Sequence, residues 1–220
     1  MASELLTDAA LLPPLLLSIF AVTALTASDF FGRRRLRFLF KPLAALAFLW
    51  LALRLDALDS AYGSWLFAGL VLCMLGDLFL MPDDERSFLA GLVSFLCGHL
   101  LYAVAFMQLP ANIPALLTSA VPALLLLVLV LRWLLPHVNR EMKIPVALYT
   151  VVITTMLLCA GLTVGQAAAA LVLPGAWGFA LSDVAVARQQ FIKRERLNPL
   201  WGTPLYFASQ MLLAASVALV

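Results

Sequence analysis

Two aspartates stand inside long apolar runs of this 220-residue chain. Asp77 lies in the run Val71–Met81 and Asp183 in the run Trp177–Ala185, each directly after a small residue. An ionised side chain inside a membrane costs roughly 2.5–3.5 kcal/mol on insertion scales, so it persists where a function offsets that cost. We therefore interpret the two aspartates as a functional pair.

A pair of carboxyl groups in an apolar site suits acid–base chemistry. Surroundings of low dielectric constant disfavour the charged form of a carboxyl group, so one member can stay protonated near neutral pH and donate a proton. The other member can stabilise a developing cation and accept a proton from water, as paired carboxylates do in glycoside hydrolysis. The sequence does not decide which aspartate takes which role.

The composition indicates a helical membrane protein. The chain is 64% hydrophobic and 12% charged, with a mean hydropathy of +1.03, whereas soluble domains are about 45–50% apolar and about 25% charged. Its long unbroken apolar runs favour helices over a β-barrel. The polar stretches are too short for a soluble domain, so we expect one transmembrane domain over residues 1–220. The small net charge of +2 does not indicate nucleic-acid binding.

Eight apolar stretches are long enough to cross about 30 Å of hydrocarbon. We predict spans at residues 9–27, 38–53, 62–81, 88–108, 115–135, 144–164, 167–187 and 199–220. Lys41 falls in the first turn of the second span, and Pro174, Gly175 and Gly178 are expected to interrupt the seventh. The predicted fold class is all-α, a polytopic membrane protein with eight transmembrane helices.

The basic residues predict the orientation. Of the 14 Lys and Arg residues, all but Arg54 fall in or beside the loops after the first, third, fifth and seventh spans. Such residues mark the cytoplasmic side of a membrane, so we expect both termini to be non-cytoplasmic. Glu4 and Asp8 precede the first span without any basic residue, which argues against a cleavable signal peptide.

The sequence carries a weak sign of duplication. Lys41 and Pro42 open the second predicted span, and Lys143 and Pro145 open the sixth. One of the two aspartates ends the third span and the other ends the seventh. This pattern is typical of two four-helix halves in parallel orientation.

Further polar residues lie in the same half of the predicted membrane as the aspartates. Unpaired polar groups in hydrocarbon are costly, so we expect them to converge on one cavity. The candidates for positioning substrate and water are Lys41, His99, Tyr102, Tyr149, Ser182, Tyr206 and Gln210. Structural alternatives remain open: Lys41 can extend to lipid headgroups, His99 can bond a neighbouring carbonyl, and Gln210 can link two helices. The tyrosines can be ordinary packing or interfacial aromatics.

Other catalytic classes find less support. Cys73, Cys97 and Cys159 lie in apolar runs without metal-ligand spacing, and we interpret them as small hydrophobic residues. His99 is the one histidine within a predicted span, which disfavours a zinc site. The sequence has no Gly-x-Ser-x-Gly motif to indicate a nucleophilic serine. We therefore expect neither a cofactor nor a metal.

An ordered set of motifs resembles the YhhN family, which includes the mammalian TMEM86 lysoplasmalogenases. The motifs are Lys41-Pro42, Leu75–Asp77, Gly91–Tyr102, Tyr149, Gly178–Asp183 and Tyr206–Gln210. The resemblance implies an eight-span fold and hydrolysis of the vinyl ether bond of lysoplasmenyl-ethanolamine or -choline to a fatty aldehyde and a glycerophospho-base. It implies Asp77 and Asp183 as catalytic carboxylates and a lysophospholipid substrate taken from the bilayer. Lys41 would then meet the phosphate.

The expected location is a bacterial inner (plasma) membrane, with the site toward the cytoplasmic leaflet. Two other functions use the same residues. In a proton-coupled transporter of small molecules or lipids, the aspartates would carry protons, and the interrupted seventh span is the feature in its favour. An intramembrane aspartyl protease is a third hypothesis, weakened because Leu181-Ser182-Asp183 has no glycine directly before the aspartate.

Overall fold

A computed structural model describes residues 10–220, and all regular secondary structure in that part of the chain is helical. The α-helices are α1 Leu12–Phe30, α2 Arg34–Arg54, α3 Ala61–Phe79, α4 Glu85–Phe106, α5 Ile113–Leu134, α6 Lys143–Leu162, α7 Ala169–Ala187 and α8 Leu197–Ala215. Each of the eight is long and apolar enough to cross a membrane. The prediction of an eight-span, all-α membrane protein is therefore confirmed. Glu4 and Asp8 lie outside the described residues.

Side-chain caps and glycines set several helix ends. Ser60, Asp84 and Asn112 each precede a helix and accept a hydrogen bond from a backbone N–H of its first turn, at 3.0, 2.9 and 3.2 Å. Such caps satisfy donors that a helix start leaves free. Gly32 and Gly165 have positive φ angles of 68° and 98°. They reverse the chain after α1 and after α6, where a side chain would be strained.

Helix α2 begins earlier than predicted. It starts at Arg34 instead of residue 38, so Lys41 lies two turns into the helix and not in its first turn. Pro42 is accommodated inside the helix. The earlier start matters because it places Lys41 in the buried interior, where it is 9% exposed.

The expected interruption of the seventh span is wrong. Helix α7 is continuous across Pro174, Gly175 and Gly178. The two glycines instead allow α8 to approach closely: a Cβ on Gly178 would lie 2.4 Å from the Ser209 hydroxyl oxygen, and one on Gly175 would lie 2.9 Å from the Leu213 side chain. Glycine thus serves packing between helices here, as is common in membranes.

Helices α3 and α4 pack in the same close manner. A Cβ on Gly69 would lie 2.6 Å from the ring of Tyr102, and one on Gly76 would lie 2.7 Å from the ring of Phe95. Both rings belong to α4 and are buried. The absence of side chains at these glycines therefore fixes where two aromatic residues of α4 stand.

Helix α5 is the least buried of the eight. It packs mainly on α6, and large apolar side chains such as Leu117 and Val121 are about 70% exposed, as suits a lipid-facing helix. Helix α7 continues into a π-helical turn, Arg188–Ile192, before the chain enters α8. An even number of spans places both ends of the described chain on the same side. The side that faces the cytoplasm and the internal duplication remain predictions.

The contact of α3 with α4 at Gly69 and Gly76, which we call the glycine seam, gives a first prediction. Replacing Gly69 by Val should force the buried Tyr102 ring to move and lower the free energy of unfolding by about 1–3 kcal/mol, the usual cost of overpacking. Thermal unfolding in detergent measures it. Ala27→Val adds volume at an exposed position of α1 and should leave the melting temperature unchanged. Equal melting temperatures for both variants would contradict the tight packing described for this seam.

Candidate active site

Asp77 forms a buried ion pair with Lys41. The Lys41 ammonium nitrogen lies 3.1 Å from Asp77 Oδ1 and also donates to the Asp77 backbone carbonyl at 3.1 Å. The Tyr206 hydroxyl donates to the other carboxylate oxygen, Oδ2, at 2.8 Å. Asp77 is 2% exposed. A buried carboxylate needs such compensation, and a cation with two hydrogen-bond donors is the set of partners that an ionised carboxylate requires.

A chain of hydrogen bonds supports this pair from behind. Tyr102 donates to the side-chain oxygen of Gln210 at 2.8 Å, and the Gln210 amide donates to the Tyr206 hydroxyl at 3.1 Å. The Tyr206 hydroxyl therefore accepts a hydrogen bond from Gln210 and donates one to Asp77. The chain connects α4, α8 and α3, and all of its members are buried.

Asp183 has different neighbours. The Tyr149 hydroxyl donates to Asp183 Oδ2 at 2.9 Å, and His99 Nε2 lies 3.7 Å from the same oxygen. In the described part of the chain, no Lys or Arg lies within ion-pair distance of Asp183. Two carboxyl groups of one site therefore have opposite electrostatic settings, one beside a cation and the other without one.

His99 presents a lone pair to Asp183. His99 Nδ1 lies 2.6 Å from the Phe95 carbonyl oxygen, which can only accept, so Nδ1 carries the proton. In the neutral ring Nε2 is then an acceptor. His99 is completely buried, and its Nε2 has no hydrogen-bond partner among the described residues. A protonated Asp183 would supply the missing donor.

The two aspartates line one cavity of about 140 Å³, which we call the deep cavity. Of the predicted site residues, those that line it are Lys41, Asp77, Tyr149, Ser182, Asp183 and Tyr206. His99, Tyr102 and Gln210 lie behind this wall and contact residues that form it. The Ser182 hydroxyl donates to the Phe179 carbonyl at 2.7 Å. The structure thus brings all nine candidate residues together around one centre.

Aromatic rings close the inner wall of this centre. Phe179 packs against His99 with ring centroids 4.3 Å apart and against Tyr206 at 5.2 Å. Phe95 meets Tyr206 edge-on at 5.9 Å. Phe95 and Tyr206 line the deep cavity, and Phe179 packs against both rings. Aromatic faces stabilise nearby cations, so the two lining rings suit a reaction in which positive charge develops. Within residues 10–220, no group of three His, Cys, Asp or Glu side chains is placed to hold a metal ion.

A larger polar cavity of about 790 Å³, which we call the vestibule, adjoins the deep cavity. The residues that line both are Lys41, Leu80, Phe88, Val186, Phe191, Gly202 and Thr203. Charged side chains line the vestibule alone at Asp29, Arg34, Arg37, Asp83, Asp84, Glu85, Arg194, Glu195 and Arg196. A polar compartment therefore leads to an apolar one, with Lys41 at the junction.

The segment between α7 and α8 is held by a polar network that the sequence did not reveal. Asn198 is 1% exposed; it accepts from Arg188 at 2.8 Å and donates to the Gln189 side chain at 2.7 Å. Ion pairs with Lys193 and Arg188 keep the pKa of Glu195 below its ordinary value. The sequence signal that could have indicated this network is Asn198, which stands directly before Pro199 at the start of α8.

The comparisons with known proteins agree with this architecture. The model of the YhhN family matches residues 36–217. The chain belongs to the YhhN family. All nine candidate residues lie within the matched region.

Curated relatives are named lysoplasmalogenases. Rat TMEM86B is 31% identical over 157 residues, which are 70% of this chain and 61% of the relative. Bovine TMEM86A is 30% identical over 157 residues, 69% of this chain and 64% of the relative. Human TMEM86B is 31% identical over 184 residues, 80% and 71% of the two chains. This family member thus matches less than two thirds of the length of the first two relatives. No solved structure matches the chain.

The buried ion pair gives a second prediction. Lys41→Met should leave the Asp77 carboxylate buried without a partner and lower the free energy of unfolding by about 3–5 kcal/mol. Adding Asp77→Asn should recover most of that loss, because the double variant buries no charge. Thermal unfolding of the four proteins in detergent gives the coupling. Lys193→Met, at an exposed ion pair, is the control and should change little. Additive effects of the two substitutions would argue against the pair.

Proposed function

We propose that the protein is a membrane lipid hydrolase of the lysoplasmalogenase type. It cleaves the vinyl ether bond of a lysoplasmenyl phospholipid to a fatty aldehyde and a glycerophospho-base. The observation that carries this proposal is the contrast between two buried carboxyl groups on one cavity. Asp77 is paired with Lys41 at 3.1 Å, whereas Asp183 faces a histidine lone pair. The names of the relatives support the same reaction.

In this proposal Asp183 is the acid. Its apolar setting without a cation favours the neutral carboxyl group, and Tyr149 and His99 orient it. Asp183 protonates the β-carbon of the vinyl ether, the double bond electrons form the new C–H bond, and an oxocarbenium ion results. The carboxylate that remains accepts hydrogen bonds, and the rings of Phe95 and Tyr206, which line the deep cavity, stabilise the cation.

Asp77 is the base. Its carboxylate, held charged by Lys41, lies on the same cavity and stabilises the oxocarbenium ion electrostatically. Water attacks the cationic carbon and gives up its proton to Asp77, forming a hemiacetal. The hemiacetal collapses to the aldehyde and the alcohol of the glycerophospho-base. In this collapse protonated Asp77 returns its proton to the leaving glycerol oxygen and the hemiacetal hydroxyl gives its proton to Asp183, so both carboxyl groups end in their starting state and one water has been consumed.

The two compartments fit a lipid with one chain. The headgroup occupies the polar vestibule, and the vinyl ether reaches the deep cavity beyond Lys41. We place the vestibule at the cytoplasmic leaflet of a bacterial inner membrane, because it is lined by the basic residues that mark that side. The transporter alternative loses its best feature, since α7 is continuous across Pro174.

The decisive assay is aldehyde release by the purified protein in detergent. The substrates are lysoplasmenylethanolamine, an ester lysophospholipid and a saturated alkyl ether analogue. We expect aldehyde from the vinyl ether alone, because only this group gives a stabilised cation when carbon is protonated. Absence of turnover with all three would reject the proposed function.

Replacing either aspartate by asparagine tests the assigned mechanism. Asp183→Asn removes the acid and Asp77→Asn removes the base, and each should lower kcat by about 10²–10⁴-fold. Wild-type turnover should also slow in heavy water, because proton transfer to carbon limits the rate. Asp59→Asn, at an exposed aspartate outside both cavities, should retain full activity. Full activity in both site variants, folded as judged by their melting temperatures, would refute the two-carboxylate mechanism.

Filling the deep cavity tests the location of the reacting group. Val130 of α5 lines this cavity, whereas its neighbour Leu129 is 55% exposed on the lipid side. Val130→Trp should raise KM or abolish turnover by occupying the substrate volume. Leu129→Trp should be near wild type in aldehyde release. Equal activity of the two variants would place the reacting bond elsewhere.

A further inference from the structure

The basic side chains around the vestibule differ in whether a carboxylate already neutralises them. Arg34 is paired with Asp83, and Lys41 is paired with Asp77. On the segment after α7, Glu195 is engaged by Arg188 and Lys193. Arg37, Arg194 and Arg196 have no carboxylate of the described residues within ion-pair distance of their guanidinium groups.

Among these arginines, Arg37 lines the vestibule beside its junction with the deep cavity. It is half-buried, and its Nη2 donates to the Leu80 carbonyl at 3.3 Å. Leu80 lines both cavities, as does Lys41, which follows Arg37 by one turn of α2. Four residues of helix rise about 6 Å. Arg37 is therefore about one turn nearer the vestibule than the ion pair that holds Asp77.

We propose that Arg37 binds the phosphate of the lysophospholipid substrate and so sets the depth of its vinyl ether. The proposal rests on the proposed function and identifies the headgroup contact of that same site. Only the glycerol backbone and its two flanking oxygens separate the vinyl group from phosphorus. That short connection matches one helical turn between Arg37 and the Lys41–Asp77 pair. A guanidinium group donates to phosphate through several N–H groups in a fixed plane, which gives orientation as well as charge.

The vestibule supports a phosphodiester in particular. Its wall also carries Asp29, Asp84 and Glu85. These acidic groups would repel the second negative charge of a phosphate monoester. They would complement the ammonium group of an ethanolamine or choline headgroup. Arg194 also lines the vestibule and adds a further cation to it.

Binding of an uncleavable ligand tests the subsite independently of catalysis. The probes are a saturated alkyl ether lysophosphoethanolamine, the alkylglycerol of the same chain length and free glycerophosphoethanolamine, each titrated into the full-length protein in detergent. Tryptophan fluorescence or the shift in melting temperature gives Kd. Arg37→Gln should weaken binding of the phosphorylated lipid by about 10- to 100-fold, the effect of losing a charged hydrogen bond. Binding of the alkylglycerol should not change.

Two further variants make the result specific. Arg37→Lys keeps the charge but not the planar donor set, so it should recover part of the affinity. Arg35→Gln removes a cation from the exposed side of the same helix and outside both cavities, and should leave every Kd unchanged. Equal losses for phosphorylated lipid and alkylglycerol, or no loss for either, would overturn the subsite. Tighter binding of free glycerophosphoethanolamine than of the lipid would also overturn it, since the ligand would then be a soluble phosphodiester.

The outcome separates this proposal from the proposed function. Arg37-dependent phosphate selectivity without aldehyde release would leave the subsite standing and reject hydrolysis. Aldehyde release with equal KM for the wild type and Arg37→Gln would leave hydrolysis standing and reject the subsite.

Discussion

The ion pair between Lys41 and Asp77 constrains much of the bundle. A carboxylate this deeply buried is costly unless a cation and hydrogen bonds compensate it, and its partners come from different helices. Lys41 reaches it from α2, and Tyr206 reaches it from α8. The hydrogen-bond chain through Gln210 then ties α4 to the same point. Three helices are thus positioned around one charged group of α3, and a shift of any of them would leave a polar atom unpaired.

The contrast between the two aspartates follows from their neighbours and not from their depth. Both lie in the last turns of their helices, and both line the deep cavity. Asp77 has the ammonium group of Lys41, whereas Asp183 has the Tyr149 hydroxyl and an acceptor nitrogen of His99. Paired carboxyl groups with different environments are the usual way for one site to hold an acid and a base together. The role that the sequence left undecided is therefore suggested by the partners.

Much of the fold could be predicted because hydrocarbon imposes simple rules. Each span needs a long apolar run, so eight runs gave eight helices. Each polar group needs a partner, so their convergence was expected. Partners themselves depend on distances between helices, which a single sequence does not contain. Lys41 was predicted to meet the phosphate, yet its nearest acceptor is Asp77. No sequence pattern singled out Arg37 as a phosphate ligand. The prediction that the seventh span is interrupted was wrong because Gly175 and Gly178 allow close contact with α8 within a continuous helix.

The size of the deep cavity limits how a lipid can occupy it. Its volume of about 140 Å³ is close to that of an engineered protein cavity of about 150 Å³ that binds benzene. It can hold the vinyl ether and the adjacent carbons but not a whole fatty chain. In the proposed reaction the chain would therefore leave between helices toward the bilayer. The wall formed by Leu126, Leu127 and Val130 of α5 is the natural exit, because α5 packs mainly on α6 and is otherwise lipid-facing. Water for the reaction would enter from the opposite direction, through the vestibule, so that hydrocarbon and water meet only at the two carboxyl groups.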